Sequence, residues 1–229
     1  MTRFTISAAA ALLIGAGCAA SDHARPAKGT SATTLAKETA APPAGGDSVL
    51  ERAADRARVE GSPSATLWVV EVSDFQCPFC REWHDQSYQA IKKEFVDTGK
   101  IRLAYVNFPL NIHRNAWPAA EAAMCAAAQN KFWPMHDALF ATQPQWESLS
   151  DPVPVLDSLA RQVGVDSASY RQCTGQHAMR ALIQADMERA TEAGVNSTPT
   201  FFVGKTMIAG AQPTDVFRTA IDSALQGKR

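Results

Sequence analysis

Two cysteines three positions apart, in Cys77-Pro78-Phe79-Cys80, follow closely on the apolar run Thr66-Leu67-Trp68-Val69-Val70-Glu71-Val72. A strand that ends in such a turn and opens a helix sets the first sulfur against N–H groups without helical partners, where negative charge is favoured. The thiolate is the attacking species in thiol–disulfide exchange, so the spacing predicts a chain that makes, breaks or reshuffles disulfides. Cys77, at the helix start, is the expected nucleophile and the more exposed of the two. Cys80 lies one turn further in and is expected to be shielded, resolving or re-forming the bridge. Pro78 costs nothing at the first helical position, whose N–H would go unpaired anyway. Half a zinc site is the competing reading, but no second CxxC or closely spaced His pair completes four ligands, so neither metal nor cofactor is expected. His84, His113, His136 and His177 show no ligand spacing. His84 follows the helix face of Cys80 and reads as a packing residue or as a modulator of the pair.

Glu71 stands six residues before Cys77 in an otherwise apolar strand. Desolvation there would raise its pKa, making it a candidate to take or give the proton exchanged as Cys80 passes between thiol and thiolate. The alternative is a strand-end carboxylate in a salt bridge.

The elements that must hold these residues follow from periodicity. Residues 66–72 read as a strand buried on both faces. A helix from about 78 carries Cys80, Trp83, His84, Tyr88, Ile91 and Phe95 at helical spacing and ends at Gly99. A second strand alternates over Ile101–Val106. From Asn115 to Arg171 only helical signals appear. They are an Ala-rich helix through Cys125 capped by Asn115, one through Trp133, His136, Leu139 and Phe140, one over 152–163, and a short one ending at Cys173, capped by Asp166 or Ser167. A helix over about 177–193 precedes Thr200-Phe201-Phe202-Val203, a turn at Gly204-Lys205, the strand 206–209 and an amphipathic helix over 213–225. The order is β-α-β, helical insert, α-β-β-α. Without the insert it makes a four-stranded mixed sheet with helices on both faces, the thioredoxin plan, with the cysteine pair beyond the carboxyl end of a strand. Trp83, Trp133 and Met135 read as packing residues.

Arg3 followed by the apolar stretch Ile6–Gly17, too short to span a bilayer, reads as an export signal over 1–20. Two ends to it are open. Cleavage after Ala20 would release a soluble protein, whereas Gly15-Ala16-Gly17-Cys18 resembles a lipobox in which Cys18 is acylated. Residues 21–46, rich in Ala, Thr, Pro and Gly, read as a disordered linker. The one folded domain is expected over 59–229, with the helical insert at about 111–176. A net charge of −1 with scattered Lys and Arg excludes a basic field for nucleic acid.

The five cysteines are an odd number for an exported chain. Setting Cys18 aside leaves four, and once Cys77 pairs with Cys80, Cys125 pairs with Cys173. That bridge would close a segment of about fifty residues and, on the chain-entropy estimate, stabilise by about 4 kcal/mol. Two free cysteines buried as small apolar residues are the alternative.

The sequence resembles the DsbA-like family of thioredoxin-fold disulfide oxidoreductases, including its BdbD-type branch. The resemblance runs through Gly61–Ala65, Val72-Ser73-Asp74-Phe75-Gln76-Cys77-Pro78-Phe79-Cys80, Asn107-Phe108-Pro109-Leu110, Asn115–Cys125, Phe132–Phe140 and Gly194-Val195-Asn196-Ser197-Thr198-Pro199-Thr200-Phe201-Phe202-Val203. It implies a cis-proline at Pro199 facing the cysteine pair, with the backbone of Thr198 open to a client strand beside Pro78 and Phe79. A trans proline starting an edge strand is the plainer reading. The resemblance also supports a buried proton-exchanging role for Glu71. Members with His in place of Phe79 hold the attacking thiolate more strongly, so a less oxidising couple is implied here. The clients implied are reduced or misoxidised exported proteins in the periplasm or cell envelope. Reoxidation implies a quinone-linked membrane partner of the DsbB or VKOR kind. Isomerases of this fold dimerise through a separate N-terminal domain, for which residues 21–60 are too short and polar. A membrane-anchored thiol reductase or disulfide isomerase, or a non-catalytic client-binding lipoprotein, is the remaining alternative.

Overall fold

The computed structural model describes residues 49–227. The expected export signal, Cys18 and the 21–46 linker lie outside them. Five strands form one sheet in the order β1-β3-β2-β4-β5: β1 (Val59–Gly61), β2 (Leu67–Ser73), β3 (Ile101–Asn107), β4 (Thr200–Val203) and β5 (Thr206–Ala209). Only β2 and β3 run parallel. β2 is therefore central, with hydrogen-bonded neighbours on both sides, as its unbroken apolar run requires.

Alternation along β2 sorts its side chains. Leu67, Val69, Glu71 and Ser73 share the face covered by α2 (Pro78–Trp83), α3 (Gln89–Ile91) and α10 (Thr214–Gln226). Val70 and Val72 pack with Met187 and Ala190 of α9 (Arg180–Glu192) and with Val195 just after it. The helix after the cysteines runs on to Val96, but through two π turns, His84–Tyr88 and Lys92–Val96. A 3.6-residue pattern cannot reveal these single-turn insertions. The insert is α4 (Ala116–Ala127), α5 (Phe132–Ala141), α6 (Gln143–Trp146), α7 (Val153–Gln162) and α8 (Ser167–Gly175). α4 is buried nearly all round, and Cys125 on it is bonded to Cys173 on α8, with Cα atoms 5.8 Å apart. Trp133 packs against both the helical core and the sheet core.

Three expectations require correction. The sheet has five strands, not four, because Val59-Glu60-Gly61, too short to read as a strand, pairs antiparallel with β3. Gly61 there has a φ of +101°, and a Cβ on it would lie 2.4 Å from the Ile101 carbonyl oxygen, so only glycine fits. The folded part starts before residue 59, with α1 (Val49–Ala57), which buries Ala54 and leads to Arg58. Asn115 does not cap α4 through its side chain; its Nδ2 donates to the carbonyls of Trp146, Glu147 and Leu149 instead.

Candidate active site

Cys77 is the extended N-cap of α2, and Pro78 occupies the first helical turn. The Cys77 N–H donates to the Asp74 carbonyl at 3.0 Å, closing the turn after β2. The Cys77 thiol points at the Thr198 carbonyl, 3.5 Å away. Thr198-Pro199 is the cis peptide bond among the described residues. Both cysteines are free thiols. Cys77 is 3 % exposed, far less than its place at a helix start suggested, because the 196–199 loop and α6 cover it. Pro78 and Phe79 are exposed, Phe79 by 58 %.

The two sulfurs differ sharply. The Cys77 pKa falls to about 6, chiefly through the hydrogen bond from the Cys80 thiol. Burial opposes that shift, while the Thr198 side chain and the backbone N–H groups of Cys80 and Phe79 favour it. Cys80 moves the other way, well above the ordinary thiol range, because it is fully buried and faces the Cys77 thiolate. The Asp74 N–H donates to Cys80 Sγ at 3.5 Å and offsets part of that cost.

Glu71 is wholly buried beneath this pair, flanked in register by Tyr105 on β3 and Phe201 on β4. Neither carboxyl oxygen has a hydrogen-bond partner among the described residues, which removes the salt-bridge alternative. Desolvation lifts its pKa to about 8, so it is mostly a neutral acid at pH 7. Ser73, two residues on and on the same face of β2, favours the charged forms of both Glu71 and Cys80. Sequence reasoning missed Ser73, although the strand's period of two from Glu71 points to it.

It also missed how the insert grips the cysteine turn. Gln143 Nε2 donates to the carbonyls of Phe75 (2.7 Å) and Cys77 (3.1 Å). Gln76 accepts from Asn115 N–H at 2.6 Å and donates to the Glu147 carbonyl at 2.7 Å. The Asp74 carboxylate accepts from Gln76 N–H, Leu110 N–H and His113 Nδ1 at 2.7, 2.9 and 2.7 Å. His113, without ligand spacing in sequence, thus stands beside the site.

The structure also gathers His84, His136 and Asp137, whose ligand-type atoms lie within 4.8 Å of one another, a grouping the sequence separation hid. Asp137 accepts from His136 Nδ1 at 2.8 Å and pairs with His84 Nε2 at 3.3 Å, and the rings pack on Tyr88 and Phe140. His84 is thereby a packing residue within a hydrogen-bonded group. His177 pairs with Glu121 on the insert.

A thioredoxin sheet, a CxxC pair of split acidity at the start of a helix, a cis-proline loop against the first sulfur and a helical insert together define a DsbA-like thioredoxin-fold protein. The comparisons agree: a family model described as Thioredoxin matches residues 53–223, and the chain belongs to that family. It is 24 % identical over 172 residues to the disulfide bond formation protein D of Bacillus subtilis, covering 74 % of this chain and 78 % of that protein. The solved structure of oxidised BdbD from Bacillus subtilis superposes with a TM-score of 0.68 at 24 % identity, over 74 % of this chain and 92 % of that one, and shares the fold. A Na(+)/H(+) antiporter NhaA 3 of Salinispora tropica is 33 % identical over 176 residues, 76 % of this chain, but the match spans about a quarter (26 %) of that protein.

Proposed function

We propose that the chain is an exported thiol:disulfide oxidoreductase that donates a Cys77–Cys80 disulfide to secreted or envelope proteins. The observation that carries this reading is the split acidity of the two sulfurs. Cys77 is held near pKa 6 and Cys80 far above it. A couple whose reduced form contains a stabilised thiolate gives up its disulfide readily and oxidises other thiols.

A client thiolate attacks Cys77 Sγ of the disulfide, and the S–S electron pair leaves on Cys80. Cys80 takes a proton, for which Glu71, buried on β2 and mostly protonated below about pH 8, is the donor. The second client thiolate then attacks its own half of the mixed disulfide and expels Cys77 as thiolate. The client has lost two electrons and the protein has gained them. The Thr198 backbone offers an edge for a client strand, with Pro199, Pro78 and Phe79 around it. A quinone-linked membrane partner of the DsbB or VKOR kind takes the electrons onward. No helix among the described residues is long and apolar enough to cross a membrane; a lipid on Cys18 would tether the protein, and cleavage after Ala20 would release it.

Trapping the thiol state of Cys77 in living cells with an alkylating mass tag tests this. A mainly oxidised pool is expected, and a mainly reduced pool would overturn the oxidase in favour of a reductase or isomerase. Intact mass of the mature protein decides whether Cys18 carries lipid.

A further inference from the structure

We propose that His113, held by Asp74, is a cationic positioning residue for the Cys77 thiolate, supplying from a separate loop the positive charge that Phe79 cannot. This rests on the reading of Cys77 as the nucleophile.

Asp74 joins the two. Its backbone touches both cysteines, accepting from Cys77 N–H at 3.0 Å and donating to Cys80 Sγ at 3.5 Å. Its carboxylate is fully buried and accepts from Gln76 N–H, Leu110 N–H and His113 Nδ1. Of these three donors only His113 can carry a full positive charge. A buried carboxylate strongly favours a cation over a neutral donor, so Asp74 draws His113 towards the imidazolium form. The imidazole side chain is 17 % exposed, which limits screening of its charge by water.

The anionic groups around His113 agree in sign. The Asp74 hydrogen bond is the largest influence and raises its pKa. Burial opposes the rise, and the Asp74 charge, the Cys77 thiolate and Glu147 reinforce it. Arg114, next in the chain, is the neighbouring cation. Attraction between two titrating groups is reciprocal: if the Cys77 thiolate holds a proton on His113, the imidazolium holds Cys77 as thiolate by the same factor. Cys80, Thr198 and the helix N–H groups set most of the Cys77 acidity, and the charge proposed for His113 acts in addition to them and is smaller. Formation of the disulfide removes the thiolate, so His113 binds its proton more weakly in the oxidised protein.

The test uses the full chain and its His113→Gln and His113→Lys variants. Ultraviolet thiolate absorbance follows Cys77, and NMR titration follows the His113 ring in the reduced and oxidised proteins. His113→Gln is expected to cut the thiolate-to-thiol ratio of Cys77 at pH 6 by about threefold or more, and His113→Lys to restore it. The wild-type His113 pKa should be higher in the reduced protein by a matching factor. An unchanged Cys77 titration in His113→Gln, or the same His113 pKa in both redox states, overturns the proposal. A loss in His113→Gln that His113→Lys fails to restore assigns His113 a purely structural part and also overturns it. If wild-type Cys77 titrates like an ordinary thiol near about pH 8.5, the nucleophile reading fails first and the proposal falls with it.

Discussion

Glu71 keeps its proton because burial on the inner face of β2 outweighs everything near it that favours charge. That has a thermodynamic signature. Between its unfolded pKa of about 4.3 and its folded pKa of about 8, the folded state binds more protons than the unfolded one. Stability is therefore greatest below that window and falls as pH rises through it, by up to about 1.4 kcal/mol per pH unit. Cys77 has the opposite slope, since its folded pKa lies below its unfolded one and its thiolate adds stability as pH rises. A Cys77→Ser background removes that opposing slope, while His84, His113 and Glu60, whose pKa values are also raised, add to the Glu71 slope and His136 opposes it. Urea midpoints should fall from pH 5 to pH 8, and Glu71→Gln should lessen that fall; an equal fall with and without Glu71 would assign the slope to the other groups. Between the cysteines, the Cys80 thiol is the largest single contributor to the acidity of Cys77. Cys80→Ala should then move half-maximal alkylation of Cys77 upward from about pH 6, and an unmoved profile would show that the helix N–H groups suffice. The types and spacing of Cys77, Cys80 and Glu71 were legible in the sequence because their chemistry is local to one strand and one turn. Ser73, Asp74 and His113 were not. Asp74 and His113 are brought together from 39 residues apart, and neither is unusual in its own segment.

At the scale of elements, the insert does more than lengthen the chain. α6 is only four residues long, yet its Gln143 is fully buried and donates to the two carbonyls that flank Gln76, those of Phe75 and Cys77. Asn115 gathers three carbonyls from the end of α6 and the segment after it onto the start of α4, and Gln76 ties the cysteine turn to both. These are buried side chain-to-backbone bonds, and removing the Gln143 donor strips the Phe75 carbonyl of it at about 1–3 kcal/mol, while the Cys77 carbonyl keeps the Arg81 N–H. Gln143→Leu, close in volume but without donors, should lower stability by about 2 kcal/mol and slow alkylation of Cys77 by loosening the turn that presents it. Denaturant unfolding and alkylation rates at pH 7 measure the two effects. Loss of stability with an unaltered alkylation rate would mean that the clamp supports the fold without aiming the sulfur. The helices of the insert other than α6 were readable from periodicity. Their grip on the site was not, because Gln76, Asn115 and Gln143 read in sequence as ordinary loop and cap residues. Asn115 resembles an N-cap in type and position, but the three carbonyls bind its amide more fully than one helical N–H would.

Over the whole molecule, the thioredoxin plan was visible because each strand and helix kept its own period. The elements that escaped were those stabilised only by distant partners. α1 and β1 are short and polar, and what fixes them is Arg58 at their junction, which reaches Asp186 on α9 across 128 residues. Arg58 also pairs with Asp55 on α1, while Asp186 accepts from Arg189 and from both the backbone and the side chain of Asn107 at the end of β3. Both partners of the pair are buried, so α1, the edge of the sheet and α9 meet at one ionic knot. Breaking a buried pair by removing one partner costs about 3–5 kcal/mol, because the surviving charge stays desolvated. Here Arg189 and Asn107 remain to Asp186, which places Arg58→Met toward the lower end, at about 3 kcal/mol. Asp186→Asn in the same background should then be less destabilising than in the wild type, since the charge left stranded by the first change is gone. Urea unfolding of the four proteins in that cycle measures the coupling. A coupling near zero would mean that α1 is held by the packing of Ala54 alone, and the folded domain would then begin in effect at β1, where the sequence had placed it.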